Sequence, residues 1–419
     1  MQTQSFLRQS LLVILFGATT TCWSPQAAAT DLGDLVFRIA TVGSSTIVSH
    51  NSPGLQFKMR VVGKITFTDN EDDVQSLTGR AVISEKRDGI TRRLDLKPEG
   101  ANGIARVYSV NGKTQPYDAD ARKWFAALVP SIVRETATNV DQRVTKLLAK
   151  GGTAAVVDEI DRIESTHVRG KYIEVLLKRG QLEDKLLPRL FATIKDVGSD
   201  FERKTILLAV IKQQPATPAT QTSLLAIVAD MDSSFEQRAV LEALAPTLGT
   251  DAGVMQAWYE AVARIDSDFE LRSVIESLAK RSVLSPTQLD RAIAVTNRID
   301  SDFEHGSALK ALLPHMEKAS TPQIEAFLKS ARGIDSAFEL RSVMNTFVKR
   351  VNFEKPAYAA VFQSIDAIDS DFEKRSALET LAKKMPRDAE LVARYRKSAR
   401  SLGQHERTQA EKAIDALNM

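Results

Sequence analysis

The sequence is poor in the residues that usually carry catalysis. It has one cysteine, Cys22, and five histidines, and none of these histidines has the H-E-x-x-H spacing of a zinc site. A G-x-S-x-G turn and a glycine-rich phosphate loop are also absent. The sequence therefore predicts no catalytic residue, no cofactor and no metal, and indicates a protein that is not an enzyme.

Excess charge of one sign is lacking as well. The chain has 56 Lys and Arg against 53 Asp and Glu, a formal charge of +3. Nucleic-acid partners require a basic surplus, so none is expected. Apart from an apolar run at 11–16, no segment has the roughly 20 apolar residues that cross a bilayer. We therefore expect a chain that does not span a membrane.

The N-terminus resembles a secretory signal. Arg8 precedes the apolar run, and Ala27-Ala28-Ala29 follows as a small-residue cleavage site, so residues 1–29 are predicted to be a signal peptide. The mature protein would then be periplasmic or secreted. Lipid attachment at Cys22 is the alternative, which the three threonines before it disfavour.

Residues 30–117 alternate apolar and polar side chains, with turn dipeptides such as Asn111-Gly112 at short intervals. This pattern predicts an antiparallel β meander of four to six strands, with one face packed against the core and the other exposed to solvent. Residues 44–54 are predicted to be a loop. Residues 118–152 have helical periodicity, interrupted at Pro130 and ended by Gly151-Gly152, and are predicted to form a connector or cap.

A six-residue motif, Ile-Asp-Ser-Asp-Phe-Glu, starts at Ile265 and recurs every 34 or 35 residues. Its other copies start at Val197, Met231, Ile299, Ile334 and Ile368, with a faded copy at Ile163. Such periods mark stacked helical hairpins. Residues 153–419 are thus predicted to form an α-solenoid of about seven hairpins with a polar C-terminal cap. The fold class is α+β: an antiparallel β-meander domain followed by this solenoid.

Each motif is interpreted as the start of a helix. The serine would cap the helix and the glutamate would complete a capping box, while the aspartate before the phenylalanine would pair with a cation four residues later. The phenylalanine is assigned to the core by its spacing from downstream apolar residues. The structural motif residues are Ser199, Phe201, Glu202, Ser233, Phe235, Glu236, Ser267, Phe269, Glu270, Ser301, Phe303, Glu304, Ser336, Phe338, Glu339, Ser370, Phe372 and Glu373.

A calcium site is the alternative interpretation, because Asp266, Asp268 and Glu270 offer three carboxylates within five residues. Calcium takes six to eight oxygen ligands and usually a glycine in its loop, which the motif lacks. Capping is therefore favoured. His167 and His305 stand at degenerate motif positions, which favours a structural role for both.

The segment 63–163 followed by these repeats resembles exported bacterial HEAT-like helical-repeat proteins without a known activity. It is also similar to regions behind the membrane part of BlaR-type metallopeptidases, through Val110-Asn111-Gly112, Tyr117-Asp118, Trp124 and Arg143. The zinc motif of those peptidases is absent, so the resemblance implies no catalytic residue.

Together these features predict a non-enzymatic exported scaffold that holds a protein or peptide partner on a curved helical-repeat surface in the cell envelope. The alternative is an accessory module whose β domain binds envelope glycan or lipid.

Overall fold

The computed structural model describes residues 38–42, 45–100, 103–163, 165–179, 182–249, 251–281 and 283–416. The predicted signal peptide and Cys22 lie outside these residues. The strands are β1 (Arg38–Val42), β2 (Ser45–Ser52), β3 (Leu55–Val62), β4 (Ile65–Phe67), β5 (Val74–Leu77), β6 (Arg80–Arg87), β7 (Ile90–Glu99), β8 (Gly103–Val110) and β9 (Lys113–Gln115).

The helices are α1 (Ala119–Thr136), α2 (Val140–Arg162), α3 (Thr166–Lys178), α4 (Leu187–Lys195), α5 (Asp200–Gln213), α6 (Pro218–Ala229), α7 (Ser234–Leu244), α8 (Ala252–Val262), α9 (Asp268–Ala279), α10 (Pro286–Thr296), α11 (Asp302–Leu312), α12 (Thr321–Ala331), α13 (Ala337–Arg350), α14 (Tyr358–Asp366), α15 (Asp371–Ala382), α16 (Ala389–Ala399) and α17 (Gln404–Asp415). The α+β class and the helical-repeat arrangement predicted from the sequence are confirmed.

The sheet is an antiparallel meander in the order β1-β2-β3-β6-β7-β8-β9, and β4 and β5 form a separate two-stranded ribbon. Strand β3 alternates buried and exposed residues along its whole length, as the period-two pattern predicts. Seven strands in the main sheet exceed the predicted four to six. The predicted loop at 44–54 is wrong over 45–52, because this polar stretch pairs with β1 and β3 as β2 and buries Val48.

Helix α1 covers the buried face of the sheet. Phe125, Leu128, Val129 and Ile132 join the core formed by Phe57, Met59 and the other inward strand residues. The helix runs through Pro130 without ending there, contrary to the sequence prediction, because the apolar residues on both sides of the proline are held against the sheet. Part of the predicted connector therefore belongs to the β domain's core.

Helices α2 to α17 form a stack of hairpins with one continuous core. The second helices of successive hairpins (α3, α5, α7, α9, α11, α13, α15, α17) each pack on the next. Helix α2 breaks at Gly151-Gly152, where Gly152 has a φ of 65°, a conformation that favours glycine. The predicted Gly-Gly boundary thus marks where the first hairpin begins. Among the described residues, no helix is long and apolar enough to cross a membrane.

Candidate functional site: a ladder of exposed phenylalanines

Each motif forms the turn inside one hairpin and the first turn of its second helix. The first motif residue is buried at all six copies (Val197, Met231, Ile265, Ile299, Ile334, Ile368). The serine Oγ accepts a hydrogen bond from the backbone N–H three residues later at Ser199, Ser233, Ser267, Ser336 and Ser370. Ser301 makes no such bond. The predicted serine cap is therefore confirmed at five copies.

Replacing Ser267 with alanine is expected to lower the free energy of unfolding by about 1 kcal/mol, because the Glu270 N–H loses its acceptor. Ser301→Ala is the matched control: it stands at the same motif position without the cap bond, so it should change stability by only a few tenths of a kcal/mol. Guanidinium titrations of both variants test this. Equal losses would contradict the capping role.

The assignment of the motif phenylalanines to the core is wrong. Phe201, Phe235, Phe269, Phe303, Phe338 and Phe372 are 62%, 53%, 48%, 58%, 56% and 57% exposed. Every exposed aromatic side chain found among the described residues belongs to this set. We name these six residues the phenylalanine ladder. An aromatic row repeated in six hairpins is unusual for a surface that contacts only water.

The helical geometry explains the error. Phe269 precedes Leu278, which is buried, by nine residues, and at 3.6 residues per turn this separation spans two and a half turns. The two side chains therefore leave opposite sides of α9. Leu271 precedes Leu278 by seven residues, close to two full turns, and it is buried. The core stripe of the second helix thus runs through Leu271, Val274, Ile275 and Leu278.

A cation lies against the ring at five of the six positions. The charged groups of Lys204, Arg238, Arg272, Arg341 and Arg375 are 4.3, 5.1, 5.0, 4.7 and 5.0 Å from the ring centroids of Phe201, Phe235, Phe269, Phe338 and Phe372. Cations at such distances are attracted to the aromatic face. Gly306 stands in the corresponding place beside Phe303, which accounts for the exception.

The same five cations, together with Lys310, join each hairpin to the next. Lys204 Nζ lies 2.7 Å from Glu236, and Arg341 lies 2.6 Å from Glu373. Arg238, Arg272 and Arg375 pair in the same way with Glu270, Glu304 and Glu406, and Lys310 lies 3.6 Å from Glu339. The motif glutamates therefore bind the preceding hairpin rather than their own caps, which corrects the predicted capping box. A complete box occurs instead at Ser285 and Gln288.

The predicted pairing of the motif aspartate with the cation four residues later is also wrong. Asp268 accepts a hydrogen bond from the backbone N–H of Ser301 in the next hairpin, at 2.8 Å. Asp200, Asp302 and Asp371 bind the following turn in the same manner, and Ser234 does so through its hydroxyl. Ala337 occupies this position once and cannot make the link. These bonds fix the turns that carry the phenylalanine ladder.

These contacts bear on the calcium alternative. Asp268 already accepts a hydrogen bond from the backbone N–H of Ser301, and Glu270 forms an ion pair with Arg238, so one motif offers too few free oxygens for a calcium ion. Calcium could raise the melting temperature only by binding the folded state. Melting temperatures with calcium and with chelator are therefore expected to agree within about 2 °C. A rise of many degrees that Asp266→Asn abolishes would contradict this.

A second row of side chains runs beside the ladder. Asp232, Asp266, Asp300, Asp335 and Asp369 each stand three residues before a ladder phenylalanine and are exposed. No ion pair of theirs is found among the described residues. We name these five residues the aspartate row. The repeat of the motif places these carboxylates along one edge of the stack, but the assignment of the phenylalanines to the core excluded a position beside an aromatic surface.

Of the two histidines at motif positions, His167 is exposed and pairs with Glu202. His305 is buried, and its Nε2 lies 3.0 Å from the hydroxyl of Ser330, which is itself 2% exposed. Burial lowers the pKa of His305, while Asp302 and Asp268 oppose the shift. A substrate cannot reach this Ser–His contact, so it fits the structural role that we predicted for His305.

A separate charged surface lies on the outer face of the sheet. Lys58, Arg60, Arg80 and Arg93 surround a shallow depression. Arg80 and Arg93 both pair with Asp95, at 2.6 and 3.0 Å. The hydrogen bond from Arg80 is the main cause that lowers the pKa of the Asp95 carboxyl. One carboxylate among four cations leaves this face positively charged.

No family model matches the chain, and no curated protein matches it. Among solved structures, a computationally designed self-assembling cyclic homooligomer shares 14% sequence identity, with 68% of this chain and 90% of that chain covered. Its TM-score is 0.13, too low to support any conclusion. The resemblance to regions of BlaR-type metallopeptidases stays a prediction.

Proposed function

We propose that this protein is a non-enzymatic scaffold that holds a protein or peptide partner on its helical-repeat surface. The phenylalanine ladder carries the proposal. Half-exposed aromatic side chains cost hydration free energy in the unbound protein and are typical anchors of protein interfaces. The ladder rests on rigid helix ends joined by the ion pairs and the aspartate bonds, so its rings are preorganised for binding.

A selection from a random peptide display library tests this function. The unmodified protein should enrich peptides that the Phe235→Ala/Phe269→Ala/Phe303→Ala variant no longer retains. The control carries Ile90→Ala, Val107→Ala and Val283→Ala, which remove three exposed apolar side chains outside the ladder. It should retain the same peptides. Enrichment that survives the loss of the three phenylalanines would refute the proposal.

We further propose that the partner is met in the cell envelope, on the strength of the signal-like residues Arg8, 11–16 and Ala27–Ala29. The mature chain is expected to begin at Thr30 and to be released with the soluble periplasmic fraction. Mass spectrometry of the N-terminus measures this directly. An acylated Cys22 at the N-terminus would instead establish a lipoprotein.

A second candidate function is binding of an anionic envelope lipid or glycan by the β domain, favoured by the basic outer face of the sheet. Arg80 and Arg93 are held by Asp95, while Lys58 has no ion-pair partner among the described residues and remains available to a ligand. Cosedimentation with phosphatidylglycerol vesicles should fall in Lys58→Ala/Arg60→Ala and stay unchanged in the ladder variant. Vesicle binding that needs the ladder phenylalanines would count against this function.

A further inference from the structure

We propose that the phenylalanine ladder and the aspartate row together bind an extended cationic polypeptide of polyproline II geometry that carries one apolar side chain in every three residues. This inference rests on the proposed function and specifies the chemistry of the partner.

The spacing of the rings is the first reason. Arg238 lies 5.1 Å from the ring centroid of Phe235 and 5.9 Å from that of Phe269, so the two rings cannot be further apart than these two distances together. Packed helices are separated by about 8–10 Å. A polyproline II helix repeats every three residues, at about 3.1 Å per residue, and so returns a side chain to the same face after about 9 Å. One apolar residue per turn thus meets one ring per hairpin.

The cations between the rings argue against other conformations. Lys204 lies against the ring of Phe201 and also 6.0 Å from the ring of Phe235, so it stands between the two rings. The ladder therefore offers separate apolar contacts rather than one continuous apolar strip. An amphipathic helix presents an apolar side chain about once per turn, roughly every 5 Å. Because the rings are further apart than this, every second apolar side chain would lie against a cation. A β-strand returns side chains to one face after about 6.6 Å, which fits the ladder no better.

Charge sets the second requirement. The ladder cations are neutralised by the motif glutamates, whereas the aspartate row has no ion-pair partner in the described chain. Arg298, two residues before Asp300, donates to the carbonyl oxygens of Val262, Ala263 and Ile265 and forms no ion pair with the row among the described residues. The surface beside the rings therefore presents five carboxylates without an ion pair among the described residues, which favours lysine or arginine in the partner.

Fluorescence anisotropy with a labelled peptide of Pro-Lys-Leu triplets, about 18 residues long to cover the ladder, tests the inference. Its affinity should fall at least tenfold in Phe235→Ala/Phe269→Ala/Phe303→Ala and remain unchanged in the Ile90/Val107/Val283 control. A Pro-Glu-Leu peptide and a peptide of the same composition with clustered leucines should each bind at least about tenfold more weakly. Replacing the aspartate row with asparagine should remove the preference for lysine and most of the salt dependence.

The outcomes separate this inference from the function on which it rests. If an acidic peptide or a helical Lys/Leu heptad peptide binds more tightly through the ladder, the inference fails and the scaffold function stands. Concentration-dependent self-association that needs the ladder, measured by sedimentation velocity, would make a second copy of the chain the occupant and would also overturn it. If neither the triplet peptide nor the display library yields ladder-dependent binding, both proposals fail.

Discussion

Replacing Phe347 with alanine is expected to lower the free energy of unfolding by roughly 3–5 kcal/mol, the usual cost of a large cavity in a packed core. Phe347 is fully buried in α13 and stacks on Phe327 and Phe353, with ring centroids 5.5 and 5.4 Å away. Phe269→Ala is the natural comparison, because the ring at that position is 48% exposed and its loss should cost about 1 kcal/mol.

Guanidinium titrations followed by far-UV circular dichroism measure both losses. The sequence alone predicts the larger loss, of roughly 3–5 kcal/mol, for Phe269→Ala, so this pair of variants decides between the core assignment and the ladder. Phe347→Leu keeps most of the buried volume and should cost no more than about 1.5 kcal/mol. A Phe269→Ala loss as large as that of Phe347→Ala would restore the core assignment.

Removal of the Glu159 carboxylate is expected to lower the free energy of unfolding by a similar amount. Glu159 is buried between Arg134 and Arg143, at 2.9 and 2.6 Å. Arg143 also pairs with Glu71, in the turn between β4 and β5. The cluster therefore ties the sheet region to the first hairpin. Glu159→Ala should cost roughly 3–5 kcal/mol, because two largely buried guanidinium groups lose their shared partner.

The same carboxylate gives stability a defined dependence on pH. Burial opposes its ionisation, but attraction and hydrogen bonds from Arg143 and Arg134 outweigh burial and lower the pKa of Glu159. A carboxyl whose folded pKa is lowered stabilises the protein above its unfolded value of about 4.3 and loses this contribution as the pH falls through the folded value. Glu159→Gln should flatten the decline of stability below about pH 4.3.

Asp415→Asn is the control for the Glu159 variants, because its ion pair with Arg396 is exposed on both sides and such pairs contribute little. Its denaturation midpoint and pH profile should match those of the unmodified protein. If Glu159→Ala unfolds at the same denaturant concentration as this control, the cluster does not hold the two regions together.

The hairpins could be predicted because their signal is local. The serine caps and the Gly-Gly break each depend on residues within one or two turns of chain, and the motif repeats this local signal every 34 or 35 residues. The roles of Asp268 and Glu270 could not be predicted in this way, because their partners Ser301 and Arg238 are about one period distant. The sequence of a single motif is the same whether its side chains cap their own helix or bind the neighbouring hairpin.

Phe269 is a different case, because its position on the exposed side of α9 follows from its sequence spacing alone. Its apolar character suggested burial, but its angular position opposite Leu278 on a helix of 3.6 residues per turn placed it outside. The prediction for residues 45–52 was wrong for the opposite reason. The serines and the threonine of this segment suggest a loop, but it pairs with a strand on each side as β2 of the sheet. Tertiary pairing overrode local propensity there.

The ion pairs of the ladder cations and the hydrogen bonds of the motif aspartates both run in one direction, from a side chain of one hairpin to a glutamate or a turn amide of the next. A copy of residues 265–298 inserted after 298 would therefore preserve these ion pairs: Arg238 would still meet Glu270, the original Arg272 would meet the copied glutamate, and the copied arginine would meet Glu304. The chain can thus be lengthened in whole units, each adding one ring at an unchanged interval. Under the proposed binding mode, the number of hairpins would set the length of polypeptide that the protein binds.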